Sequence, residues 1–139
     1  MKTIVKIFCL FLFSAIIISC EATPDDTIHI KNRKVIVDYK SQEVVLETTN
    51  LATNINYDTQ NTTGCVEPPE DNVYEYARED HKYILKGPWF RIWYSYQERN
   101  KVVVELEENN TGAERHVSIA VDRFGYGTSA VVTQLPKPE

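Results

Sequence analysis

The chain is short of the residues that do most enzyme chemistry. It has three cysteines, Cys9, Cys20 and Cys65, and three histidines, His29, His81 and His116. The histidines follow no metal-ligand spacing and have no cysteine partner nearby, so no metal site is expected. No Gly-x-Ser-x-Gly, Walker or His-Glu-x-x-His pattern occurs, which removes the usual signatures of hydrolases, nucleotide-binding proteins and zinc proteases. A calcium loop of the EF-hand type is also missing, and no cofactor is expected. Helical periodicity is lacking too: no amphipathic run reaches useful helical length. Basic residues are outnumbered, 15 to 20, for a net charge of −5. An acidic body argues against nucleic acid and against an anionic membrane surface as partners.

What is present begins with a leader. Lys2 and Lys6 precede an apolar run, Ile7 to Ile18, broken only by Ser14, and Ile17-Ile18-Ser19-Cys20 closes it. A positive start, an apolar centre and a small-residue end make an export signal over residues 1–19. The run is too short to favour a transmembrane helix. Its ending resembles a bacterial lipobox, which implies that Cys20 becomes a diacylated N-terminus and that the lipid bilayer is a partner through it. Loss of Lys2 and Lys6 leaves 13 basic against 20 acidic residues, a net charge of −7. With Cys9 removed and Cys20 acylated, Cys65 stands alone and no internal disulfide can form. Its neighbours Gly64, Val66 and Glu67 offer no base, and a nearby carboxylate raises a thiol pKa.

Residues 20–27 form an acidic tether, and residues 28–135 read as one all-β domain followed by a proline-bearing tail, 136–139. Val102, Val104 and Leu106 alternate with Val103, Glu105 and Glu107, and Val117, Ile119 and Val121 alternate with Ser118, Ala120 and Asp122. A period of two places each set on one face of a strand. Glu108 to Gly112 is a cluster of turn formers, in which Asn110 to Gly112 is expected to close a tight hairpin, and Phe124 to Gly127 carries glycines suited to a second. Upstream, Val35 to Tyr39 and Glu43 to Thr49 read as a hairpin turning at Lys40-Ser41-Gln42. Ile28 to Ile30 adds a short edge, and Ala52 to Asp58 a further strand. Gln60 to Asn72 breaks the pattern with Gly64 and Pro68-Pro69, which cannot donate to a ladder. Val73 to Tyr76 and Tyr83 to Lys86 read as a small hairpin, Trp89 to Tyr96 as an aromatic strand, and Gln97 to Asn100 as the turn after it. Strands this short, punctuated this regularly, predict a sandwich or barrel.

The run Asn109-Asn110-Thr111-Gly112-Ala113-Glu114-Arg115, then Ser118-Ile119-Ala120-Val121, then Ala130-Val131-Val132-Thr133-Gln134, resembles the BACON domain (Bacteroidetes-associated carbohydrate-binding, often N-terminal). That family ends in an Asn-x-Thr-Gly-x-x-Arg turn, a strand, a glycine hairpin and a Val-x-Val-Thr-Gln strand, and Trp89 matches the tryptophan of its central strand. The resemblance runs from Trp89 to Gln134 and is loose from Val35 to Tyr57. It implies an immunoglobulin-like β-sandwich of about seven or eight antiparallel strands. The chain departs from the pattern between Gln60 and Pro88, where it carries an inserted loop and hairpin. Arg115 is expected to lie across an aromatic ring or to pair with Glu107 or Glu108, a fold-making role.

The acidic residues of the insert, Glu67, Glu70, Asp71, Glu75, Glu79 and Asp80, read as solvated, because a glycosidase needs two carboxyls held across a sugar bond. The aromatic strand carries the sharper expectation. If Phe90 and Ile92 point inward, Trp89, Arg91 and Trp93 face outward, a flat platform for a sugar with Tyr94 and Tyr126 nearby. The opposing expectation is that one tryptophan pins the core and the other is covered by the Val73–Lys86 hairpin. The function expected is a non-catalytic binding domain, with carbohydrate as its ligand, on an outer-membrane lipoprotein at the cell surface or in the periplasm. The alternative is a structural or accessory envelope protein that mediates protein–protein contact or acts as a spacer.

Overall fold

The computed structural model describes residues 27–65 and 81–139. The leader, Cys20, the Glu21–Asp26 part of the tether, Pro68-Pro69 and the Val73–Tyr76 half of the expected hairpin lie outside the described residues.

Eight strands are present among them: β1 (Lys34–Val37), β2 (Gln42–Glu47), β3 (Asn54–Tyr57), β4 (Lys82–Lys86), β5 (Phe90–Ser95), β6 (Glu98–Leu106), β7 (Arg115–Arg123) and β8 (Tyr126–Gln134). They form two four-stranded sheets, ordered β1-β8-β7-β3 and β2-β6-β5-β4. In chain order, β2, β3, β5, β6, β7 and β8 take the places of strands B to G of an immunoglobulin domain. B, E and D are neighbours in one sheet, and C, F and G in the other. The inner faces meet in one core. Ile55, Val117, Ile119, Val121 and Val132 come from the first sheet, and Leu46, Leu85, Phe90, Ile92, Val102 and Val104 from the second. The Tyr57 and Phe90 rings meet edge to face, with centroids 5.1 Å apart, the arrangement that ring quadrupoles favour.

The strands follow the sequence closely, but several of their pairings do not. β1 and β2 form no hairpin: β1 runs parallel to β8 while β2 lies antiparallel to β6, so the sandwich is not purely antiparallel. Asp38 accepts hydrogen bonds from Lys40 N and Gln42 Nε2, turning the chain out of one sheet and into the other. There β1 covers the edge of β8 while Val35 and Val37 pack on the core.

Asn109 to Gly112 likewise closes no hairpin. β6 and β7 belong to different sheets, and the segment carries the chain between them. β4 pairs with β5 through Gly87-Pro88-Trp89. The turn before β6 is only Tyr96-Gln97, since β6 already begins at Glu98. The β7–β8 turn is Phe124-Gly125, with φ of 50° at Phe124 and 89° at Gly125. Two positive φ values make the primed turn whose twist matches a hairpin. Here a phenylalanine, not a glycine, holds the first position.

Candidate functional site

The five residues expected to bind ligand fall in three places. Trp89 lies just ahead of β5, so the strand's alternation does not govern it, and it turns inward to 6 % exposure. Its indole Nε1 donates to Thr63 O at 2.7 Å, Phe90 packs against it edge to face, and the Arg115 guanidinium lies 4.3 Å from the ring centroid. It is the pin of the core and no outward platform. Tyr94 is also buried: its ring stacks on Tyr83 at 5.3 Å, and its hydroxyl donates to Thr53 O at 3.3 Å. Phe90, Ile92 and Tyr94 share the inward face of β5, so Tyr94 could not join the outward residues of its own strand.

Arg91 and Trp93 do face outward, and the structure brings them together. Arg91 is paired across the ladder with Glu105. One Glu105 oxygen, Oε2, lies 3.3 Å from Arg91 Nη1, and the other, Oε1, accepts the Trp93 indole N–H at 2.8 Å. Lys82 Nζ sits 3.9 Å from the Trp93 ring centroid. Register extends the site sideways: Ile84 lies opposite Trp93, Trp93 opposite Val103, and Val103 opposite Val45. This is an apolar row on the side of the sheet turned away from the core. Ile84 and Val103 are buried there although they point outward. Antiparallel sheets usually carry polar residues on such a face, so an apolar row with a charged rim is the informative feature. The sequence missed Glu105 and Lys82 because their nearness depends on ladder register.

Tyr126 lies elsewhere, exposed beside the β7–β8 turn. Among the described residues no group of three His, Cys, Asp or Glu side chains gathers to hold a metal ion. His116 contacts Thr63 and His81 holds a turn with φ of 60°. Cys65 packs against the core, and burial pushes its thiol pKa up, which keeps it protonated and weakly nucleophilic.

The residues behind the family resemblance form a polar knot at the opposite end of the sandwich. Gln134 Oε1 accepts from Arg115 Nε at 2.9 Å. Gln134 Nε2 donates toward the carbonyls of Tyr39, Lys40 and Glu107 at 3.2, 3.0 and 3.0 Å. Asn109 Nδ2 donates toward the carbonyls of Ala113, Gln134 and Leu135, and its Oδ1 accepts from Thr111 N and Oγ1. Arg115 thus lies across an aromatic ring, as expected. Its partner at Glu107 is the main-chain carbonyl, 2.7 Å from Nη2. Burial lowers the Arg115 pKa, and the Glu107 charge opposes that shift. The carbonyls of Tyr39, Lys40, Glu107 and Ala113 lie in the two connections that join the sheets, β1–β2 and β6–β7, and those of Gln134 and Leu135 at the end of β8, which makes these residues fold-forming.

No protein-family model matches the chain, and no curated protein matches its sequence. Solved structures do resemble it. A protein from Bacteroides thetaiotaomicron, determined by NMR, superposes with a TM-score of 0.51 at 13% identity, covering 82% of this chain and 91% of that one. Titin domain M4 superposes with a TM-score of 0.51 at 10% identity, covering 83% of this chain and 100% of that one. At such identities the likeness is one of fold, and the fold is an immunoglobulin-like β-sandwich.

Proposed function

We propose that the chain is an outer-membrane lipoprotein, acylated at Cys20, whose mature domain binds a carbohydrate without catalysis. The observation that carries this reading is the outward Trp93, set in the apolar row and bridged by Glu105 to Arg91. An indole supplies a flat apolar surface for a sugar ring, and the Arg91–Glu105 pair supplies donors and acceptors for its hydroxyls. Such a site is apolar with a few convergent polar groups, as ligand sites generally are. The motif residues Asn109, Arg115 and Gln134 and the core Trp89 support kinship with the BACON family through the fold-forming knot. The lipobox-like ending at Cys20 supports the anchor.

A second reading has its own support. Lys82 lies over the Trp93 ring, and Val45, at the far strand of the same face, is exposed. An exposed apolar side chain on a face with a charged rim suits a protein partner on the envelope. Affinity electrophoresis against host and plant polysaccharides separates the two. Under the carbohydrate reading, a polysaccharide retards the native protein, Trp93→Ala abolishes the retardation, and Lys82→Ala preserves or strengthens it by uncovering the ring. Trp93→Phe, with thermal denaturation measured alongside, controls for folding. No retardation on any polysaccharide would leave the protein-partner reading.

A further inference from the structure

The end of the sandwich that carries Tyr126 presents a second surface. Among the described residues, seven large hydrophobic side chains are exposed, and four of them gather there: Phe124 at 68 %, Tyr126 at 55 %, Leu51 at 43 % and Tyr96 at 39 %. The remaining three, Ile36, Val45 and Leu135, are scattered. Leu51, Tyr96 and Phe124 lie in three connections, β2–β3, β5–β6 and β7–β8, with Tyr126 beside the last as the first residue of β8, and the chain ties these connections together. Arg123 Nη1 donates to Leu51 O at 3.1 Å, and the Arg123 guanidinium lies 5.0 Å from the Phe124 ring centroid. Phe124 N donates to Thr53 Oγ1 at 3.1 Å, and Ala52 N donates to Arg99 O at 2.8 Å.

Phe124 is costly where it stands. Its φ of 50° lies in a region that Gly, Asn and Asp enter readily and bulky residues seldom do, and strain of this kind concentrates at functional positions. The ring gains little from the fold, being mostly in solvent.

The chain itself says what this end faces. Thr27, the first described residue, lies at the same end: Asn50 Nδ2, next to Leu51, donates to Thr27 O at 2.8 Å. Only residues 21–26 separate Thr27 from Cys20, a reach of at most about 25 Å when fully extended. The knot of Asn109 and Gln134 lies at the other end, beyond strands of nine residues, about 30 Å away along the sheet. That far end carries Glu107, Glu108 and Glu114 in its β6–β7 connection.

Resting on the reading of Cys20 as the lipid anchor, we infer that this tip docks on the bilayer that holds the acyl chains. Phe124 and Leu51 enter the interfacial region, with Tyr126 and Tyr96 at headgroup level. Aromatic side chains settle at that depth because one part of the ring system is apolar and the other tolerates water. Apolar side chains carry the contact, with Arg123 among them and Arg99 close by. Glu21, Asp25 and Asp26 in the tether give anionic headgroups nothing to attract. The domain therefore stands at a set orientation on the membrane, its Trp93 face turned sideways and its acidic end outward.

The test uses the full acylated chain in vesicles of phosphatidylcholine and phosphatidylethanolamine, on a Cys65→Ser background. An environment-sensitive bimane label is placed at Tyr126→Cys or, as the far-end control, at Glu139→Cys. With brominated lipids as depth quenchers, the label at 126 is expected to be quenched several-fold more than the label at 139. High salt should leave that difference intact, and Phe124→Ser with Leu51→Ser should abolish it while flotation with the vesicles persists. Equal quenching of the two labels in a floating, acylated protein overturns the docking and leaves the anchor standing. Failure to float, with mass spectrometry finding residue 20 unmodified, overturns both. A label at 126 that lipid does not quench, but that becomes protected as protein density rises, assigns the tip to a second copy and also overturns the inference.

Discussion

Replacing Gln134 with methionine tests whether the polar knot holds the two sheets together. Gln134 is fully buried, and methionine keeps its approximate volume, so the change removes hydrogen bonds with little cavity penalty. The bond from Arg115 Nε to Gln134 Oε1, at 2.9 Å, is charge-assisted and worth roughly 1.5–3 kcal/mol net. The two protons on Nε2 serve three carbonyls within 3.2 Å, and losing them adds about 1 kcal/mol each. The expected loss is therefore roughly 3–5 kcal/mol, a large share of the 5–15 kcal/mol typical of a domain. For a domain of this size that lowers the melting temperature by at least ~12 °C. Urea denaturation followed by tryptophan fluorescence reads it directly, since Trp89 is buried against Arg115 and exposed on unfolding. The control is Glu108→Ala, which removes only the exposed pair with Lys137 and should cost less than about 1 kcal/mol. A Gln134→Met loss no larger than that control would refute the assignment of the knot as the joint between sheets.

Three other outcomes follow from the geometry. A Cβ on Gly87 would collide with the Phe90 ring, which is core-buried, so Gly87→Ala should destabilise by about 2–4 kcal/mol in the same urea assay. Phe124→Asn relieves the positive φ at little loss of packing. Stability should hold or rise by up to ~1 kcal/mol, and a clear loss would show that the ring works for the fold and not for a partner. On acidification, the Asp58 carboxylate, held below its ordinary pKa chiefly by the Asn61 side chain, and Glu47, held down chiefly by Lys31, stabilise the folded state above the ordinary carboxylate range. That contribution is lost as pH falls through their lowered folded values. Melting temperature should fall as the pH drops below the ordinary carboxylate range, less steeply in Asp58→Asn.

Whether an element exists is a local matter, and the sequence was a good guide to it. The alternation of Val102 to Leu106 and of Val117 to Val121 reports which face of each strand is apolar, and that property belongs to the strand alone. Among the described residues, glycines and asparagines marked most of the breaks for the same reason.

Pairing and burial at strand ends are collective. Nothing in Asn109 to Gly112 distinguishes a hairpin turn from a crossing between sheets. That depends on which neighbour β6 and β7 each complete, and the answer is different sheets. Trp89 turned inward because it precedes β5 and fills the space under Arg115, so alternation counted from Phe90 does not reach it. Glu105, Lys82 and Trp93 meet through the register of three strands, and Leu51, Tyr96, Phe124 and Tyr126 meet because three loops share one end of the sandwich. Sequence by itself determined where the described strands run and which residues of a strand share a face. The tertiary structure decided their partners, because hydrogen-bonded register and the closing of two sheets on one core are settled by the whole chain at once.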